Sequence, residues 1–215
     1  MELFITSYSH LAGNQVIVND RLIFYQENIL TFADFIRAAY KHSQTSYPKF
    51  YKMDAIGKLG FLAAELAIRE RSLTGYPAER IGVVFANGSS SLDTDIAHYD
   101  TIRDRKAYFP SPGIFVYTLP NIVVGEVCIR HGFKGENVFL IAESFDGKLL
   151  CDYINELFDS GRIDGCLCGW TEVLGDKWNG LVTVVEKESH GVTPEAGNWH
   201  IPFNEKNINK IMNHN

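Results

Sequence analysis

One serine stands out by where it falls. In Asn137–Gly147, NVFLIAESFDG, an apolar run that reads as a strand ends at Ala142-Glu143-Ser144, and a helix-like stretch follows from Asp146. A strand that turns sharply into a helix is a common way to hold a nucleophile. The free backbone N–H groups and the dipole of the following helix stabilise an anion that develops there. Ser144 is therefore the candidate catalytic residue, with Glu143 beside it. A serine hydroxyl attacks an acyl group only when a base stands next to it, and no base is placed near it in the sequence. The reading of Ser144 that the residues favour is a helix N-cap, with Glu143 as a carboxylate set against the positive end of the same helix.

Other chemistry-bearing residues read as structural. Cys128 and Cys151 fall in apolar, helix-like stretches and read as small buried hydrophobes. Cys166 and Cys168, in GCLCGW, share one face of a strand. A C-x-C pair can bind metal, but no second ligand pair with suitable spacing accompanies it, so no metal site is expected. His131, in RHGFKG, follows a helix and is expected to cap its C-terminus. His190, His200 and His214 lie in a polar, loop-rich tail and are expected to be solvated. Asn87-Gly88-Ser89 is only loosely like a phosphate-cradling loop, because no lysine follows at P-loop spacing. The aromatic segment Phe109–Tyr117 is expected to pack rather than to line a ligand site.

The elements that must position these residues alternate in period. Leu3–Ser7 and Gln15–Val18 read as short strands, and Phe32–Tyr40 as a helix. Met53–Ser72 is the strongest helix, with Ile56, Leu59, Gly60, Ala63, Ala64, Ala67 and Ile68 in a small-residue stripe and Asp54 as its cap. Ile81–Ala86 is a continuous apolar strand of the doubly buried kind. Leu92–Ile102 reads as a helix capped by a serine, and Pro120 starts another that runs through Arg130. Asn137–Ala142 is a strand, Asp146–Asp159 a helix, and Gly165–Thr171 and Leu181–Glu186 are strands. Repeated βα units with buried strands mean a layered α/β fold. The end from Asn204 to Asn215 is polar, with one helical turn or two, and is expected to fray.

The 215 residues carry a net charge of −6, which gives no electrostatic reason to expect nucleic acid or anionic membrane as a partner. No window is apolar for the length a membrane span needs, and no basic, apolar leader follows Met1. A cytoplasmic location is expected.

Four ordered segments carry a resemblance: KMDAIGKLGFLAAELAI, ERIGVVFANGSSSLDT, LPNIVVGEVCIRHGFKGEN and GRIDGCLCGWTEV. Together with LVTVVEKE, they resemble the N-terminal half of the β-ketoacyl-acyl-carrier-protein synthases, over Phe50–Val173 and beyond. The resemblance implies a thiolase-like α/β fold, a mixed and mainly parallel sheet with helices on both faces. Residues 1–190 would form the synthase-like domain and 191–215 a C-terminal tail. In active members of that family the strand after G-P-N ends in a T-A-C-A-T-G-like elbow whose cysteine takes the acyl group. Ser144 stands at that position here, flanked by Glu143 and Phe145. The family's histidines and lysine come from a C-terminal half that this chain does not reach, since full-length members are about twice as long.

The resemblance therefore implies a non-catalytic, chain-length-factor-like subunit of a type II fatty-acid, polyketide or aryl-polyene system, requiring no cofactor. Its expected partner is a second copy of itself or a full-length ketosynthase, and acyl carrier protein is a further candidate. The alternatives are an active synthase or acyltransferase that uses Ser144, and a serine hydrolase. Ala142-Glu143-Ser144-Phe145-Asp146-Gly147 half-matches the G-x-S-x-G elbow of hydrolases, but Ala142 and Asp146 occupy both glycine positions. In the family the strand before the nucleophile pairs antiparallel with its copy in the partner subunit. Val138, Phe139, Leu140 and Ile141 form that strand here without a charge to guard an edge. The helix after Ser144 is expected to be the most buried, with a helix-layer face left uncovered. The interface is expected to be centred on this strand and flanked by the Pro120–Arg130 helix or the Phe109–Tyr117 segment.

Overall fold

A computed structural model describes residues 2–28, 31–187 and 199–213. The strands are β1 (Leu3–Ala12), β2 (Gln15–Val18), β3 (Arg21–Tyr25), β4 (Ile81–Asn87), β5 (Asn137–Ile141), β6 (Gly165–Leu174), β7 (Lys177–Lys187) and β8 (Ile201–Pro202). The helices are α1 (Phe32–His42), α2 (Ala55–Glu70), α3 (Leu92–Ile102), α4 (Pro112–Phe115), α5 (Ile122–His131), α6 (Gly147–Asp159) and α7 (Glu205–Met212). The strands form one sheet in the order β3-β2-β1-β7-β6-β4-β5, and β8 pairs with the start of β1. This is the expected mixed sheet with helices on both faces, but most of its pairings are antiparallel, where the resemblance implied a mainly parallel sheet. Its parallel part is confined to β5, β4 and β6. Around that part, β7, β1, β2, β3 and β8 add antiparallel pairings, because the β6–β7 and β1–β2–β3 connections are tight turns rather than helical crossovers. β3 was not expected from the sequence; only its pairing with β2 makes Arg21–Tyr25 a strand.

On one face of the sheet lie α1, α2 and α5, whose core includes Phe35, Leu59, Phe61 and Val127. Polar residues inside β1 are satisfied by this layer. Ser7 and Ser9 donate their hydroxyls to the α2 carbonyls of Ala67 (3.0 Å) and Ala63 (2.6 Å). That contact requires a close approach of helix and strand, which the small-residue stripe provides. A Cβ added at Gly60 would sit 2.6 Å from Val123 Cγ2 and 2.9 Å from Thr171 Cγ2. At the end of β7, Glu186 is wholly buried and accepts two hydrogen bonds from Arg71 and one each from Tyr76 and Thr6. A buried carboxylate persists only when its oxygens are partnered in this way.

On the other face lie α6 and α7, over Tyr8, Val84, Cys166, Cys168 and Trp170. The most buried helix is α2, not α6: α2 has sheet on one side and helices beside it, whereas α6 buries one stripe, Leu150, Cys151, Ile154, Leu157 and Phe158. The outward side of α6 carries Lys148, Asp152, Glu156 and Asp159, with Lys148 and Asp152 paired. It is a solvated charged face, so the expected uncovered apolar layer is not found there. The segment expected to fray holds α7, which docks on α6 with Ile208, Ile211 and Met212 buried. Hydrophobic spacing of three and four residues inside a polar composition explains why composition alone misread it. The expected domain boundary at 190/191 lies outside the described residues.

Between β4 and α5 the chain makes an excursion through α3, α4 and a 3₁₀ turn at Val116–Thr118. None of the α3 residues is buried. Leu92, Ile96 and Tyr99 are exposed on it, and Phe109, Phe115, Val116 and Leu119 are exposed in the segments that follow. The Phe109–Tyr117 aromatics therefore do not form an internal cluster; Tyr117 is buried but Phe109 is 78% exposed. No single helix among the described residues is long and apolar enough to cross a membrane. The segments Pro112–Thr118 and Ile122–His131 reach that length only together, across a 97° bend, and Val123, Val124 and Val127 of the second belong to the core.

Candidate functional site

β5 is the last strand of the sheet. It pairs in parallel with β4 from Asn137 opposite Val83 to Ile141 opposite Asn87, and its other edge meets no strand among the described residues. Its side chains alternate as the pleat demands. Val138 and Leu140 pack toward α6 and α7, and Phe139 packs toward α2 and α5. Ile141, at the end, is 53% exposed. The backbone N–H of Ala142 still bonds the Asn87 carbonyl at 3.0 Å, which anchors the elbow to the loop that follows β4.

Beyond that anchor the chain turns. Phe145 points inward and meets the Trp170 ring edge-on at 5.7 Å, while Glu143 and Ser144 are exposed. Helix α6 begins at Gly147, three residues after Ser144, and its N-cap is Asp146, whose carboxylate accepts from the Leu149 N–H at 2.9 Å. The structure thus corrects the N-cap reading of Ser144: Asp146, whose side chain is placed to accept from the third helical residue, takes that role. Glu143 does not engage the helix terminus either. Among the described residues, neither Ser144 nor Glu143 has a hydrogen-bond or ion-pair partner. The elbow therefore holds a serine in water, with no histidine, lysine or carboxylate hydrogen-bonded to it among the described residues and with the Leu149 N–H already taken by Asp146.

The adjoining loop is equally closed to ligands. Glu172, from β6, accepts hydrogen bonds from the backbone N–H groups of Gly88 (2.5 Å) and Ser89 (3.2 Å) and from the Ser89 hydroxyl. The N–H groups that a phosphate would need are held by the protein's own carboxylate. Gly88 fits closely at this spot: a Cβ there would lie 3.3 Å from both the Ala142 carbonyl and Glu172 Oε2, a tight contact. The glutamate of the T-E pair at the end of GCLCGWTEV thus closes the loop of NGSSS, a role that no local pattern announces.

The cysteines and histidines also find structural places. Cys166 and Cys168 are wholly buried on one face of β6, near Cys151. Burial pushes both β6 thiols far up and the Cys151 thiol up to about 12, so none is a thiolate at neutral pH. His131 ends α5, stacks on Phe133 and places Nε2 2.9 Å from Glu65, which also takes two hydrogen bonds from Arg130. Burial alone would raise the Glu65 pKa; the contacts from His131 and Arg130 outweigh it and hold the carboxyl at about 2. His200 is not solvated but stacked on Phe4, with ring centroids 4.1 Å apart. His190 and His214 lie outside the described residues.

No protein-family model and no curated protein matches the sequence. Solved structures do match in shape. The ishigamide ketosynthase/chain length factor superposes with a TM-score of 0.66 at 18% identity, over 90% of this chain and 64% of the other. A structure of the type II polyketide acyl-carrier-protein complex AntDE:AntF gives 0.62 at 12% identity, over 89% of this chain and 64% of the other. The ketosynthase ApeO in complex with its chain length factor ApeC, from Xenorhabdus doucetiae, gives 0.56 at 11% identity, over 88% and 81%. The chain spans a little under two thirds of the length of the first two proteins. At these identities the likeness is one of fold, and the fold of this chain is the thiolase-like α/β fold of ketosynthases and chain length factors.

Proposed function

We propose that this chain is a non-catalytic, ketosynthase-like subunit that pairs with a full-length condensing enzyme, as a chain length factor does, in a cytoplasmic type II fatty-acid, polyketide or aryl-polyene system. One observation supports the reading: the elbow after β5, taken here as the counterpart of a condensing enzyme's nucleophile turn, presents Ser144 to solvent without a base hydrogen-bonded to it among the described residues. A hydroxyl is far less acidic than a thiol, and without an adjacent base it does not attack a thioester at a useful rate. Residues 1–190 are the synthase-like domain in this reading, and the alteration at Ser144 is a replacement of the family's cysteine.

The pairing surface follows from the sheet. The free edge of β5 offers unpaired backbone groups with no charged side chain on Val138–Ile141. The exposed apolar residues of the α3–α4 excursion flank the loop that anchors β5, and a patch of this kind marks an interaction surface. A second strand adding to β5 would satisfy the edge and cover Ile141. The partner is a full-length ketosynthase or a second copy of this chain, with acyl carrier protein as a transient third component. The structures of similar fold include a ketosynthase with its chain length factor and a ketosynthase with its carrier protein.

Two measurements test this. Incubation with malonyl- and acyl-carrier protein, followed by mass spectrometry of the intact chain, is expected to show no adduct. An acyl group on Ser144 with turnover that vanishes in Ser144→Ala would overturn the non-catalytic reading. Light scattering is expected to show a complex with the ketosynthase of its own pathway, or a homodimer, that Ile141→Asp dissociates. Ile141 is the informative position because Phe139 packs into the core and its replacement would damage the fold. A chain that stays monomeric with every candidate synthase would refute the pairing.

A further inference from the structure

Between α1, the 3₁₀ turn at Pro48–Lys52 and the start of α2 lies a cleft of about 180 Å³. Its walls include Phe32 and Ile36 from α1 and Phe50 and Tyr51 from the turn, and Arg37 and Lys58 stand at it as cations. The aromatic wall is braced: Phe50 stacks on Tyr40 with centroids 3.7 Å apart and meets Tyr51 edge-on at 5.8 Å. Phe32 is held against Trp178 at 5.6 Å. The cleft is thus preformed, as small-molecule sites commonly are.

The charges around it do not balance. Among the described residues, neither the Arg37 guanidinium nor the Lys58 ammonium has a hydrogen-bond or ion-pair partner. The one acid that acts on Lys58 is Asp54. Its two oxygens are committed to the Gly57 N–H at 2.8 Å and the Thr94 hydroxyl at 3.1 Å. Lys58 is half-buried, and desolvation disfavours its ammonium form; the Asp54 charge offsets part of that cost, and the Arg37 charge adds a smaller repulsion. Two cations without a direct ion pair among the described residues, beside a mainly apolar cleft, form an arrangement that suits an anion with an apolar body.

We propose that this cleft binds a small monocarboxylate with an aliphatic or aromatic tail. The carboxylate would bridge Arg37 and Lys58, and the tail would lie on Phe32, Ile36, Phe50 and Tyr51. Arginine's planar fork suits a carboxylate, and charge-assisted hydrogen bonds of this kind are the strong ones. Size selects the tail: an apolar cavity of about 150 Å³ accepts benzene, so this cleft suits benzoate or hexanoate rather than a long acyl chain. The proposal is independent of the pairing reading, because none of these residues belongs to β5, the elbow or the α3–α4 excursion.

Titration calorimetry of the full chain with hexanoate and benzoate tests it, with 1-hexanol and acetate as probes of tail alone and head alone. Saturable binding of at least one carboxylate is expected, with both half-probes weaker by about tenfold or more, as the loss of a charge-assisted contact or of the buried tail predicts. Arg37→Gln, at an exposed position, and Lys58→Met, which keeps the stem and removes the charge, should each weaken the carboxylate about tenfold and leave 1-hexanol unchanged. No saturable binding of either carboxylate would overturn the proposal. So would 1-hexanol binding as tightly as hexanoate, or charge variants that bind like the parent.

Discussion

The Glu65 cluster gives the sharpest stability prediction. Glu65, on α2, is buried beneath Arg130 and His131 at the end of α5, and these contacts hold its carboxyl at about 2 against an ordinary 4.5. Each tenfold change in proton affinity is worth about 1.4 kcal/mol, so the ionised carboxylate contributes about 3 kcal/mol to folding at neutral pH. The sign follows from the depressed value. The contribution is fully present above the unfolded value of 4.5 and is lost as pH falls through the folded value of about 2. By linkage it is down to about half at pH 3 and nearly gone at pH 2. Glu65→Gln keeps the size of the side chain and removes the charge. Urea unfolding at pH 7 should show the variant about 3 kcal/mol less stable, equivalent to a melting point lower by about 6–12 °C for a chain of this size. At pH 3 the gap between variant and parent should shrink to about half. An equal loss at both pH values would mean that packing or amide geometry, not the ion cluster, sets the effect, and would refute the reasoning.

Three further outcomes follow from the packing. Gly60→Ala should destabilise by about 2 kcal/mol, since the new methyl would overlap Val123 and Thr171 where α2 meets α5 and β6; thermal melts against a Gly75→Ala control, where a Cβ meets nothing within 4 Å, check it. Asp146→Ala should remove the α6 cap and cost about 1 kcal/mol, whereas Ser144→Ala, at an exposed side chain without a partner, should leave the unfolding midpoint unchanged. All four cysteines are free, yet Cys166 and Cys168 should resist a thiol reagent in the native protein and react only after denaturant is added. Cys128 is only partly buried, but burial holds its thiol at about 11, so it should react slowly.

What the residues declare locally, they declare well. The period of the α2 stripe, the Asp54 cap, the apolar run of β4 and the strand–turn–helix around Ser144 are all properties of a few adjacent residues, and each was legible before any fold was known. The sequence also announced the layered α/β class, because buried strands separated by helices can bury their faces in few other ways. Long-range pairing decided the rest. Only the sheet order makes β5 an edge and turns Arg21–Tyr25 into a strand. Only the folded elbow shows Asp146 capping α6 while Ser144 faces water, since the choice of cap depends on where the chain actually turns. The excursion from Leu92 to Leu119 is apolar enough to suggest a core, yet it lies where nothing in the described chain covers it. Glu172 closes the Gly88 loop from 84 residues away, and α7 hides three apolar residues in a polar segment by docking them on α6. Burial and partnership are set by which distant surfaces meet, and a linear pattern holds no record of that meeting.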